Sequence, residues 1–216
     1  MKNIVCLISG RGSNLEALLR AQREQQWDTA LGARIGAVLS NRADARGLAI
    51  ATAHGVAAEV LEHGDFPSRE AFDTALAAQI DRHDPALVVL AGFLRVLTPA
   101  FVQRYPGRLI NIHPSLLPAF AGLHTHERAI AMGVRIHGTT VHYVSGELDA
   151  GPIIAQSALA VLPGEDAAAL AARVLALEHE LLPRCVRWIL EGRVRLEGGR
   201  VLAPGVDPAQ LLRVAA

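Results

Sequence analysis

Residues 3–26 read NIVCLISGRGSNLEALLRAQREQQ. The apolar run Ile4 to Ile8 is too short for a membrane span or the hydrophobic region of a signal peptide, and it runs directly into Ser9-Gly10-Arg11-Gly12-Ser13-Asn14. From Asn14 to Gln26 the apolar residues recur at three- and four-residue spacing, as on the buried face of a helix. Strand, glycine turn and helix in this order open a βαβ unit. The same alternation continues downstream. Asn3–Ile8, Ile35–Ser40, Ala57–Leu61 and Ala86–Ala91 are expected as strands, and 14–26, Ala43–His54 and Arg69–Arg82 as covering helices. The fold class that follows is α/β: a mostly parallel, Rossmann-like twisted sheet flanked by helices.

The texture changes after Arg108. A strand ending in His113 meets Pro114 and Pro118, and a Gly/His loop leads to a helix near Glu127–Met132. Ile136–Val144 and Ile153–Val161 read as neighbouring strands with antiparallel partners in the C-terminal half. Glu165–Glu191 is a long Ala/Leu-rich helix that Pro183 should kink or split. A small hairpin around Gly198-Gly199 and a polar tail end the sequence. The expected organisation is one domain over 1–216, with 1–100 as a nucleotide-binding half, 101–192 as a catalytic half and 193–216 as hairpin and tail.

Composition narrows the function. The chain has 216 residues, 51% hydrophobic and 4% aromatic, enough for one good core. Its 21 basic residues balance 21 acidic ones, so no broad positive field exists for nucleic acid or an anionic membrane. Small-molecule substrates are therefore expected, without nucleic acid or membrane. Cys6 and Cys185 form no disulfide pattern, which fits a reduced, cytoplasmic protein. Monomer and homodimer both remain open.

Two segments carry chemistry. In the first, the glycines of Ser9–Asn14 let backbone N–H groups approach a phosphate at a helix N-terminus. No third glycine follows as in a dinucleotide fingerprint, and no lysine as in a Walker loop, so a monophosphate fits better. The alternative is a tight turn with Ser13 or Asn14 as helix cap. In the second, Asn111 and His113 stand two apart in an extended segment and leave the same face. An amide donor beside an imidazole suits a carbonyl that becomes an oxyanion. Asp149 is the carboxylate that could favour the charged ring and relay a proton. The competing reading makes all three turn or strand-end residues. Five of the nine histidines fall between His113 and His142. His137 and His142 are five apart on a strand and point to opposite faces, so no metal site is expected.

The run Asn111–Pro118 (NIHPSLLP), Gly122–Glu127 (GLHTHE), His137–His142 (HGTTVH) and Glu147–Pro152 (ELDAGP), together with Ser9–Leu15 and Ala91–Leu97, resembles the glycinamide ribonucleotide formyltransferase family. The likeness runs from residue 3 to about residue 192. It implies a folate-dependent transferase of purine synthesis with 10-formyltetrahydrofolate as co-substrate and no metal. On this resemblance Asn111, His113 and Asp149 are the catalytic trio, and Gly12, Ser13 and Asn14 hold the ribonucleotide phosphate. Glu178 binds ribose hydroxyls. Leu94, Arg95, Val96 and Leu97, with Asn111, Glu147 and Asp149, form the folate pocket. Leu175 departs from the polar residues familiar one helical turn before Glu178, so a phosphate contact is expected to be missing. Methionyl-tRNA formyltransferases share the HPSLLP segment but carry a further RNA-binding domain. Formyltetrahydrofolate hydrolases share ELDAGP but add a regulatory domain. A non-catalytic nucleotide-binding module would explain the sheet and glycine loop, but not the trio.

Overall fold

The computed structural model describes residues 1–215 and divides the chain into two compact units, Met1–Asn111 and Ile112–Ala216. The first unit holds β1 (Lys2–Ile8), α1 (Ser13–Glu24), α2 (Trp27–Leu31), β2 (Ala33–Ser40), α3 (Arg46–Ala53), β3 (Ala57–Val60), α4 (Arg69–Asp81), β4 (Pro85–Leu90), α5 (Pro99–Arg104) and the start of β5 (Leu109–His113). Its strands are ordered β5-β4-β1-β2-β3 and all pair in parallel.

Residues Ile4 to Ile8 of β1 and Leu87 to Val89 of β4 are completely buried. Continuous apolar runs are what a parallel sheet covered on both faces requires. Each such side chain contributes about 1.5–3 kcal/mol by leaving water. Helix starts follow local capping chemistry: Ser68 Oγ accepts from the Ala71 N–H at 3.1 Å, and Thr98 Oγ1 from the Phe101 N–H at 3.3 Å, with Pro99 in the first helical turn. The chain visits β2 and β3 on one side of β1 and then returns to β4 on the other. The carboxyl ends of β1 and β4 therefore flank the point where strand order reverses, the place where open α/β sheets bind ligands.

The second unit holds the end of β5, α6 (Thr125–Ala131), β6 (Ile136–Tyr143), β7 (Ile153–Ala160), α7 (Ala167–Leu190), a hairpin of β8 (Arg195–Glu197) and β9 (Arg200–Leu202), α8 (Pro208–Leu211) and β10 (Leu212–Ala215). β6 and β7 are antiparallel and β10 runs parallel to β7. Ala129, Leu159, Leu170, Val174 and Leu177 form a core cluster among α6, β7 and α7.

Three expectations need correction. Pro183 does not split α7, which continues from Ala167 to Leu190. A proline inside a helix costs about 3 kcal/mol, but Leu181, Leu182, Cys185 and Val186 around it are fully buried, and their burial offsets the lost hydrogen bond. The first helix ends at Glu24 rather than Gln26. Gln26 turns left-handed at φ 50° and leads into α2, whose Trp27 is fully buried. The polar tail, for which no strand was expected, contributes an edge strand, β10.

Candidate active site

Construction of the site begins at β5. Asn111 pairs with Leu90 of β4, and the last two residues of β5, Ile112 and His113, open the second unit. Two threonines of β6 fix the chain there: Thr139 Oγ1 donates to the His113 carbonyl at 2.9 Å, and Thr140 Oγ1 to the Ser115 carbonyl at 2.7 Å. Thr140 Oγ1 also accepts from the Leu117 N–H at 3.0 Å. The His113 ring is therefore carried by a backbone with little freedom, and the residue is 6% exposed.

His113 Nδ1 lies 3.3 Å from Asp149 Oδ2, and its Nε2 lies 3.0 Å from the Phe120 carbonyl oxygen. Both neighbours are acceptors. Only the doubly protonated imidazolium donates to both at once, so the geometry suits a charged ring. Asp149 Oδ2 also accepts from the Gly122 N–H at 2.8 Å. Asp149 sits in the left-handed region at φ 50°, between Leu148 and Ala150, and aims its carboxylate inward with 9% of the side chain exposed. The turn returns tightly to β6: a Cβ on Gly151 would collide with the Tyr143 carbonyl oxygen, so only glycine fits there.

Two further histidines border this pair. The pairing of β6 with β7 shifts register between Val141 and His142, where Ile154 of β7 is the extra residue. His142 Nε2 comes within 3.9 Å of Asp149 Oδ1, while its Nδ1 is 3.0 Å from the Tyr143 carbonyl oxygen. Burial pushes His142 below the usual imidazole range. His137 is fully buried, its Nε2 3.3 Å from His126 Nδ1, and burial together with His126 lowers it to about 4. Burial also lowers His126. Among the described residues no group of three or more His, Cys, Asp or Glu side chains is placed to hold a metal ion.

The first unit carries the glycine loop. Gly12, at φ 78°, is the N-cap of α1, so neither Ser13 nor Asn14 stands at the N-cap position. A Cβ on Gly12 would stand 2.5 Å from the Gly47 Cα, and the Gly47 N–H donates to the Gly10 carbonyl at 3.1 Å. Ser9 Oγ donates to Asn41 Oδ1 at 2.6 Å and accepts from the Leu94 N–H at 2.8 Å. The loop after β1 is thereby tied to the segment after β4. In that segment Leu94 is 73% and Val96 51% exposed, whereas Leu97 is buried. Arg95 turns inward, its guanidinium 4.9 Å from the centre of the Phe72 ring.

In the second unit, Glu147 is exposed, and its carbonyl accepts from Ser145 Oγ at 3.0 Å. Glu178 on α7 is only 7% exposed, unlike an ordinary solvated helix residue, and Leu175 one turn earlier is half-buried. Sequence reasoning missed Thr139, Thr140, Phe120 and Gly47. The Gly-Thr-Thr run of β6 was a usable signal; Gly47 acts only through a contact distant in sequence.

The family model for formyl transferases matches residues 2–186, which include every candidate residue named above. The chain belongs to the formyl transferase family. Within it, phosphoribosylglycinamide formyltransferase of Escherichia coli is 47% identical over 194 residues, 90% of each chain. The crystal structure of phosphoribosylglycinamide formyltransferase from Coxiella burnetii superposes with a TM-score of 0.90 at 45% identity, covering 100% of this chain and 99% of that one. That of glycinamide ribonucleotide transformylase 1 from Symbiobacterium toebii gives 0.89 at 43%, covering 94% of each. The mostly parallel sheet with flanking helices is thus the fold of this formyl transferase.

Proposed function

We propose that the chain transfers the formyl group of 10-formyltetrahydrofolate to the amine of glycinamide ribonucleotide. The observation that carries the reading is the 3.3 Å pairing of His113 with Asp149 at the end of the strand that also bears Asn111. The neutral amine attacks the formyl carbon and gives a tetrahedral intermediate between two bound substrates. Asn111 donates its amide N–H to the oxyanion, and His113, charged and donating to Asp149, stabilises the same oxygen by its field. Asp149 accepts from the ring and, through a water, carries the proton from the amine to folate N10; the oxyanion then re-forms the carbonyl, the C–N10 bond breaks and tetrahydrofolate leaves. No covalent enzyme intermediate is required.

Binding follows the same division. The start of α1 at Gly12, Ser13 and Asn14, with a glycine rather than a polar side chain at the N-cap, supports a phosphate site, since helix N-termini favour anions. Glu178 takes the ribose hydroxyls. The exposed Leu94 and Val96, with Arg95, Leu97 and the 145–149 loop, take the folate. No helix among the described residues is long and apolar enough to cross a membrane. On this reading the protein acts on small molecules in the cytoplasm, as monomer or homodimer. Replacing His113 or Asn111 tests the assignment: kcat should fall by roughly a hundredfold or more while the KM for the ribonucleotide stays within a few-fold. Near-wild-type kcat in either variant would refute it.

A further inference from the structure

One short loop contacts both members of the His113–Asp149 pair. The Phe120 carbonyl faces His113 Nε2 at 3.0 Å, and the Gly122 N–H faces Asp149 Oδ2 at 2.8 Å. That loop has an uncommon backbone. Phe120 (φ 57°), Gly122 (φ 81°) and His124 (φ 57°) are all left-handed, and two of the three carry side chains that resist this conformation. Such a loop keeps its shape only where its surroundings hold it.

The holder is on α6. Arg128 Nη1 donates to the Ala121 carbonyl at 2.6 Å and to the Leu123 carbonyl at 3.4 Å, and its guanidinium carbon stands 5.6 Å from the centre of the Phe120 ring. That ring also packs against His137 in a T-shaped pair, 5.7 Å between centroids at 79°. One cation thus ties together the two carbonyls that alternate with the functional groups of the loop. Arg128 is itself exposed, so its replacement leaves the core intact.

We propose that Arg128 is a positioning residue for formyl transfer: by clasping residues 120–123 it aims the Phe120 carbonyl at His113 and the Gly122 amide at Asp149. The proposal rests on His113 and Asp149 being the reacting pair. Arg128 touches neither of them, so it acts only through the loop. Arg128→Met keeps the stem and removes the donors, and Arg128→Lys keeps the charge with a single donor group.

The test compares wild type, Arg128→Met, Arg128→Lys and His113→Asn in formyl transfer to the ribonucleotide, with proton NMR of the His113 ring N–H groups. Arg128→Met is expected to lower kcat roughly tenfold, with the ribonucleotide KM within about twofold, unchanged unfolding and broadened His113 ring N–H signals. Arg128→Lys should fall between it and wild type. Wild-type kcat in Arg128→Met, or unchanged His113 signals beside a lowered kcat, overturns the proposal while a dead His113→Asn leaves the site assignment standing. A fully active His113→Asn overturns the site assignment itself.

Discussion

His113 Nδ1 and Asp149 Oδ2 stand 3.3 Å apart with both side chains less than a tenth exposed, so their interaction is little screened by water. Asp149→Asn keeps an acceptor for the Gly122 N–H but removes the charge. Turnover in this variant should drop by roughly a hundredfold or more, with intact folding and a ribonucleotide KM within a few-fold of wild type. Steady-state kinetics alongside a denaturation curve checks this, and an Asp149→Asn enzyme with near-normal kcat would remove the carboxylate from the mechanism.

The glycine loop offers a pair of contrasting substitutions. Gly12 is left-handed, and an added Cβ would meet the Gly47 Cα at 2.5 Å, whereas a Cβ on Gly10 meets nothing within 4 Å. Gly12→Ala should cost about 1–3 kcal/mol of stability, and Gly10→Ala very little. Urea denaturation of the two variants reads the difference directly; equal midpoints would mean that the loop adapts freely.

Glu178 and Leu175 share a face of α7, and Glu178 is buried although its side chain is a carboxyl group. Glu178→Gln should raise the KM for the ribonucleotide roughly fivefold or more with kcat nearly unchanged, the signature of lost uniform binding. Leu175→Gln should lower that KM by restoring a polar neighbour. If both variants bind the ribonucleotide like wild type, α7 has no part in its recognition.

Stability should fall in mild acid through His137, which is fully buried and lowered to about 4. A ring whose folded value lies below its unfolded value of about 6.5 takes up protons preferentially in the unfolded chain. Its stabilising contribution is therefore complete above about pH 6.5 and is lost progressively down to about pH 4. The loss amounts to roughly 3 kcal/mol at most. His137→Phe should flatten the stability profile in that window; an unchanged slope in the variant would assign the acid sensitivity to other groups.

Much of this was legible in the sequence because it rests on local patterns. Continuous apolar runs and three-to-four spacing gave the parallel half, and alternation around a turn gave the antiparallel β6 and β7. Asn111 and His113 could be placed on one face by counting, and the 147–152 turn pointed to Asp149. What escaped depends on contacts between distant residues. Pro183 stays within α7 because its neighbours are buried. Trp27 bends the chain by burying its ring. Gly12 needs a glycine because Gly47 lies against it. The approach of His142 to Asp149 joins β6 to the turn before β7, which spacing along one strand cannot show.

The most direct test follows a ¹³C-labelled formyl group from 10-formyltetrahydrofolate in the presence of glycinamide ribonucleotide and the purified protein. The account predicts that the label appears as the formamide of the ribonucleotide amine, at a rate that depends on the ribonucleotide and collapses in His113→Asn. Label released as free formate, at a rate indifferent to the ribonucleotide, would contradict it.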